Sequence, residues 1–276
     1  MTETRLIINA DDYGLAPAIS QGIRDTIEAG RVTSLSILAN FSGLREEVAR
    51  IKDYEVSRGL HLNLTEGKPL VRQGWPPGFL NAAGSFKSYL HVGRAYLSRK
   101  LPLIIIASEF EAQMTRLHEC GAKVDHIDSH QNIHLLPPVA KLVVDLATGY
   151  DVKWVRVPSE KYFTLHTDFQ GFMKKSILWP LCRALQRRLP ANNLKAVDNY
   201  LGLSGLFSRE PVRTWGAFLQ SLSHGIHELC VHPGLAMDAS QDPIVEFRVR
   251  NRAALLSEQF EAHLVSNSVA LSRFTR

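Results

Sequence analysis

An α/β fold is what the 276-residue chain predicts, as a distorted (β/α) barrel with fewer or less regular strands than eight. Short apolar runs alternate with helical stretches, which is the rhythm of a parallel sheet or barrel. Acidic and imidazole groups stand at the ends of several of those runs, where (β/α) barrels keep their chemistry. No linker divides the chain, so one domain is expected over residues 1–276.

The elements follow in order. "RLIINA" is a buried strand ending in two aspartates and a glycine. Pro17 opens a helix and Gly30 stops it. "VTSLSILAN" is a β-branched strand, "GLREEVARIK" a helix, and "VSRGLHLNLT" a third strand. Residues 66–85, rich in Gly and Pro, form a long loop of the kind that usually serves function. Helices are expected at 86–99 and 107–119, then a strand in "AKVDHIDSH". A helix opens at Pro137 and Pro138, and "VKWVRVP" is the next strand. Residues 159–200 break the rhythm and read as an irregular insertion. "EPVRTWGAFLQSL" is a helix, "GIHELCVHPG" a strand and loop, "DPIVEFRVRNRAALLSEQF" one long helix, and "VALSRF" a closing strand.

Composition narrows the class. Hydrophobic residues at 45% support a sizeable core, which argues against disorder. The net charge of +5 is modest, and the many carboxylates suit a duplex-binding face poorly, so no nucleic-acid partner is expected. Cys120, Cys182 and Cys230 are odd in number and far apart, which points to neither a disulfide framework nor a zinc–thiolate site. A reducing, cytoplasmic setting is the expectation, without a leader peptide. The longest apolar run, "LIIIA", is far short of the roughly 20 residues that cross a bilayer, so no transmembrane segment is expected.

The chemistry gathers in "IINADDYG", "GLHLNLTEGKPL", "VDHIDSHQNIHLL" and "ELCVHPG". At period two His126, Asp128 and His130 share one strand face, and His134 follows in the loop at the same end. His61 alternates with Leu60 and Leu62, a histidine aimed at a polar centre with leucines on the packed side. A carboxylate with two imidazoles suits a divalent metal that keeps one position open for water. A second carboxylate beside it can take a proton from that water, and a strand-to-loop turn lets adjacent aspartates reach one site. Taken singly, Asp11 and Asp12 read more readily as helix caps, and a lone strand histidine as a core or surface residue; the four segments together favour function.

These segments resemble the YdjC-like carbohydrate deacetylases, which include chitooligosaccharide deacetylase, in order and spacing over nearly the whole chain. The resemblance implies a TIM-barrel-like fold of the NodB/YdjC deacetylase type and a hydrolase that removes the N-acetyl group of an amino sugar such as N-acetylglucosamine. It implies one divalent cation, Mg2+ or Zn2+, on Asp12, His61 and His130, with Asp11 as base and His232 as general acid or oxyanion stabiliser. His134, Asp128 and Tyr13 fall to substrate contact or to support of the ligands. Some members of this group act on glycolipids, N-acetylglucosaminyl hopanoids among them, so the expected substrate is an N-acetylated oligosaccharide or glycolipid; a homodimer is also in keeping with relatives. Peripheral membrane contact would fall to the basic and apolar "KKSILWPLCRALQRRLP", which reads equally as a solvated helix face. Tyr13 stands where relatives often have Phe, and Asn132 where they often have His. The rival readings are a metal-dependent phosphoesterase with more than one cation, an iron oxygenase, and a non-catalytic sugar-binding module.

Overall fold

Parallel pairing throughout one curled sheet is the main feature of the computed structural model, which describes residues 3–160 and 169–275. The strands are β1 (Thr4–Tyr13), β2 (Ser34–Ile37), β3 (Ser57–Leu62), β4 (His126–Ser129), β5 (Trp154–Val155), β6 (Asn199–Leu201), β7 (Gly225–Val231) and β8 (Ala270–Leu271). The helices are α1 (Pro17–Glu28), α2 (Leu44–Arg50), α3 (Tyr89–Leu97), α4 (Leu103–Glu119), α5 (Pro137–Gly149), α6 (Phe169–Arg188), α7 (Leu203–Leu206), α8 (Pro211–Gln220), α9 (Val245–Leu255) and α10 (Glu258–Ser266).

The strand order is β5-β4-β3-β2-β1-β7-β6. Long β1 gives one edge to β7 and divides the other, β8 pairing at Arg5 and Leu6 and β2 from Asn9 onward. Trp154 of β5 makes one isolated parallel bridge to Lys195, on the segment that leads into β6, so the curled sheet is the distorted (β/α) barrel expected.

Alternation along the strands separates two cores. Leu6, Ile8, Ala10, Leu60, Leu62, Ile127, Leu229 and Val231 face outward and pack under the helices. Each such fully buried Leu or Ile stabilises the fold by roughly 1.5–3 kcal/mol. Inward, Ile7, Trp154, Tyr200, Cys230 and Phe274 plug the lower lumen. Toward the C-terminal strand ends the inward residues turn polar: Asn9, Asp11, Ser36, His61, Asp128 and Glu228. Gly59 makes room for them, since a Cβ there would lie 2.2 Å from His126 Nε2.

Two stretches differ from the sequence-based expectation. The long helix expected over 242–260 is broken in two, because the Ser257 hydroxyl accepts from Phe260 N–H and starts α10 afresh. Within 159–200 the structure shows α6 and the start of β6, a barrel unit, while residues 161–168 lie outside the described residues. Pro180 inside α6 and its weak amphipathic period explain why the pattern was hard to read. Among the described residues no helix is long and apolar enough to cross a membrane.

Candidate active site

The end of β1 does not run as a regular strand. Its register with β2 shifts between Ala10 and Tyr13, and Asp12 adopts φ +70°. Such a bulge re-aims one side chain, so that Asp11 and Asp12 both reach the mouth of the barrel although adjacent strand residues normally point apart. Gln131 and Asn132, just after β4, also take positive φ, and the chain turns sharply behind His130.

Asp12, His61 and His130 converge, each with a ligand-type atom within 4.8 Å of the others. Asp12 Oδ1 lies 3.3 Å from His61 Nε2 and 2.9 Å from His130 Nδ1. Arg248 of α9 donates to the other oxygen, Oδ2, at 2.8 Å. Asp128 Oδ1 accepts from His61 Nδ1–H at 2.7 Å, which leaves His61 Nε2 turned to Asp12. Burial alone would discharge these imidazoles, but the carboxylates prevail. Asp128 and Asp11 push His61 up to about 10, and Asp12 pushes His130 up to about 9. Burial also acts against the Asp12 carboxylate, yet Arg248 and His130 hold it well below the usual range. One carboxylate and two imidazoles in this arrangement are a donor set that a divalent cation fits.

Asp11 is held differently. Arg156, on the segment leaving β5, grips both its oxygens at 2.7 and 2.8 Å. The same guanidinium meets Asp128 Oδ2 at 2.6 Å and Glu228 Oε1 at 2.7 Å. Asn9 Nδ2 donates to Asp11 Oδ1 at 2.8 Å, and the Cys230 thiol to Oδ2 at 3.3 Å. Burial pushes the Asp11 carboxyl up, but Arg156 outweighs it and the group stays below its ordinary value. Glu228 shows the opposite balance, burial prevailing over Arg156 to bring it up to about 7. His232 Nε2 lies 3.8 Å from Asp11 Oδ2, and Asn251 Oδ1 accepts from the His232 N–H at 3.1 Å. Burial brings the His232 imidazole down to about 4, so it is neutral at pH 7.

Two expected residues lie off the site. His134 is fully buried, its Nδ1 2.5 Å from the Ser129 hydroxyl and its Nε2 3.0 Å from the Arg156 carbonyl, so it ties β4 to the Arg156 segment rather than facing a substrate. Tyr13, beyond the bulge, turns into the outer core, where its hydroxyl donates to the Glu47 carbonyl and accepts from Arg24.

The model of the YdjC-like protein family matches residues 5–266. This chain belongs to the YdjC-like family. It is 32% identical over 160 residues to a carbohydrate deacetylase of Mus musculus, 57% of this chain and 51% of that protein. A carbohydrate deacetylase of Danio rerio is 28% identical over 210 residues, 73% of this chain and 66% of that protein. The chain spans about half the length of the first of these relatives. A solved structure from Enterococcus faecalis, of a protein proposed to cleave cellobiose phosphate, aligns over 99% of this chain and 98% of that one. Its TM-score is 0.75 at 22% identity, which shows the shared fold.

Sequence reasoning missed several members of this YdjC-like site. Arg156 left a signal: of the two cations in the apolar strand "VKWVRVP", it is the one two residues from Trp154 and so on the lumen face, while Lys153 falls on the other. Ser36, which donates to Asp128 Oδ2 at 2.7 Å, repeats Ser34 at period two in "SLSI". Arg248 left none, being one of several arginines in "FRVRNR".

Proposed function

We propose that the protein is a cation-dependent carbohydrate deacetylase that hydrolyses the N-acetyl group of an amino sugar and releases acetate. The observation that carries this reading is the pair of adjacent aspartates with opposite surroundings, Asp12 among imidazoles and Asp11 in the fork of Arg156. The names of the matched relatives support the substrate class.

Asp12, His61 and His130 would hold one divalent cation, Mg2+ or Zn2+. When bound, it supplies Lewis-acid polarisation of the acetamide and a more acidic water. Asp11, kept ionised by Arg156, accepts the proton of the water that attacks the carbonyl carbon. The C–O bond forms, and charge develops on the former carbonyl oxygen. His232, neutral and with Nε2 3.8 Å from Asp11 Oδ2, relays the proton that Asp11 took from the water to the departing nitrogen as the C–N bond breaks, which leaves Asp11 ionised and His232 neutral again. Acetate and a free amino sugar result.

A phosphoesterase with two or three cations fits less well. His134 is buried between Ser129 and the Arg156 carbonyl, away from the other ligand-type groups, and Asp128 shares its oxygens among His61, Arg156 and Ser36. A mere sugar-binding module leaves the clamped Asp11 without a use. An N-acetylated glycolipid is the alternative form of the substrate. Exposed Ile177 and Trp179 on α6, with Arg183 stacked 5.5 Å over the Trp179 ring, would suit peripheral contact with a lipid surface.

Acetate release from diacetylchitobiose, N-acetylglucosamine and an N-acetylglucosaminyl lipid, with and without chelator, tests the reading. Chelator should abolish release. Asp11→Asn should keep the cation and lose turnover, and His130→Ala should lose both. Full activity in Asp11→Asn would remove the base from the scheme.

A further inference from the structure

Each imidazole of the cluster uses both ring nitrogens. His61 gives Nε2 to Asp12 and Nδ1 to Asp128. His130 gives Nδ1 to Asp12, and its Nε2 lies 3.3 Å from Glu66 Oε2. Glu66 therefore stands to His130 as Asp128 stands to His61, one carboxylate behind each ring. Asp128 is buried in the barrel, whereas the Glu66 side chain is 44% exposed at the mouth.

Exposure alone would make Glu66 a wandering surface acid, but its backbone is fixed. Asn63 Nδ2 and Asn40 Nδ2 donate to the Glu66 carbonyl at 2.7 and 3.0 Å. Asn63 Oδ1 accepts from the N–H of Thr65 at 2.9 Å and of Glu66 at 3.1 Å. Asn63 is itself fully buried, and burying a side-chain amide is tolerated only when its polar atoms are bonded, as they are here. Gly67 follows at φ +70°, where a Cβ would crowd the Phe41 ring at 3.0 Å, so glycine allows the turn. Further on, the buried Glu109 of α4 accepts from the N–H groups of Leu70 and Val71 at 3.1 and 2.8 Å. The loop after β3 is thus anchored on both sides of the residue it holds beside His130.

We propose that Glu66 is a positioning residue for His130: with the cation bound, its carboxylate accepts the Nε2–H, fixes that tautomer, and leaves Nδ1 as the atom that binds the cation beside Asp12. The inference rests on the reading that Asp12, His61 and His130 hold one cation. Carboxylates behind metal-binding imidazoles typically change affinity by about 10–100-fold when removed, and the exposure of Glu66 places it at the lower end.

The test is Zn2+ affinity of the full chain, read by competition with a chromophoric chelator, for the wild type, Glu66→Gln and Glu66→Ala. Melting curves matching the wild type confirm that the variants fold. Both variants should bind Zn2+ about 10-fold more weakly, with KM for the acetylated sugar unchanged. In the wild type with Zn2+ bound, nitrogen-15 spectra of the imidazoles should show His130 protonated at Nε2. Unchanged Zn2+ affinity in both variants overturns the proposal, and so does unchanged affinity with a raised KM, which would make Glu66 a substrate contact. A wild type that takes up no Zn2+ at all sinks the cation reading itself, and the proposal with it.

Discussion

Replacing Arg156 with methionine tests the electrostatic design of the barrel most directly. One guanidinium, 2% exposed, contacts Asp11, Asp128 and Glu228. Losing one partner of a buried ion pair costs about 3–5 kcal/mol, because the remaining charge is stranded. Three carboxylates stranded together escape that cost only by taking up protons. Glu228 calibrates the result, since it sits in the same lumen and burial already brings it up to about 7 despite Arg156. Asp11 without its fork should titrate higher than it does with it, and the acidic limb of the kcat/KM profile should move up in pH with it. Each unit of that displacement corresponds to about 1.4 kcal/mol of differential interaction. The assay is acetate release from pH 5 to 9 at saturating Zn2+, beside urea unfolding at pH 7. Arg156→Lys covers the case in which the methionine variant fails to fold: it keeps the charge, loses the two-pronged grip on Asp11, and should show a smaller displacement in the same direction. A variant that folds with wild-type stability and an unmoved acidic limb would refute the idea that Arg156 keeps Asp11 ionised.

Two further outcomes follow from the lumen. His126 and His134 are buried, and burial lowers each from 6.5 to about 4. Below 6.5 the unfolded chain takes up protons that the folded protein refuses, so stability should fall as pH drops from 6.5 toward 4, by about 3 kcal/mol for each histidine. His232, lowered to about 4, adds to the fall, whereas Glu228, raised from 4.5 to about 7, gains stability as pH drops toward 4.5 and offsets about one histidine. His61 and His130, raised to about 10 and 9, gain theirs above pH 6.5 and stay nearly level below it. A urea midpoint that stays level between pH 6.5 and 4.5 would contradict this. Gly59→Ala should cost about 1–3 kcal/mol by overpacking, since its methyl group would lie 2.2 Å from a His126 ring already stacked on Phe274 at 4.2 Å. An unchanged melting temperature would show that the lumen can relax.

How far the chain could be read depended on how local each signal was. Strand–helix alternation is local, and β1 to β4 with α1, α2, α4 and α5 lie close to where the apolar periods put them. The paired leucines around His61 revealed its direction, because Leu60 and Leu62 fill the outer core and period two sends His61 inward. What stayed hidden depends on contacts distant in sequence. Arg248 reaches Asp12 across 236 positions and Arg156 reaches Asp11 across 145, and no local pattern records either pairing. Tyr13 was misplaced because the bulge at Asp12 reverses the inward and outward sense of the next residue, and a bulge leaves no periodic trace.

That bulge also explains how neighbouring residues of identical chemistry come to differ. On a regular strand one aspartate would face the helices and cost several kcal/mol as a buried, unpaired charge. Turning both inward raises a second difficulty, since like charges side by side resist joint ionisation. The barrel answers with a separate arginine for each, from opposite parts of the chain. Arg156 takes both oxygens of Asp11 and keeps it ionised. Arg248 takes only Oδ2 of Asp12, and Oδ1 remains turned to the two imidazoles. Asp11 is gripped on both oxygens, whereas Asp12 is gripped on one and turns the other to two imidazoles, and this placement of the arginines supports the proposed division into proton acceptor and cation ligand.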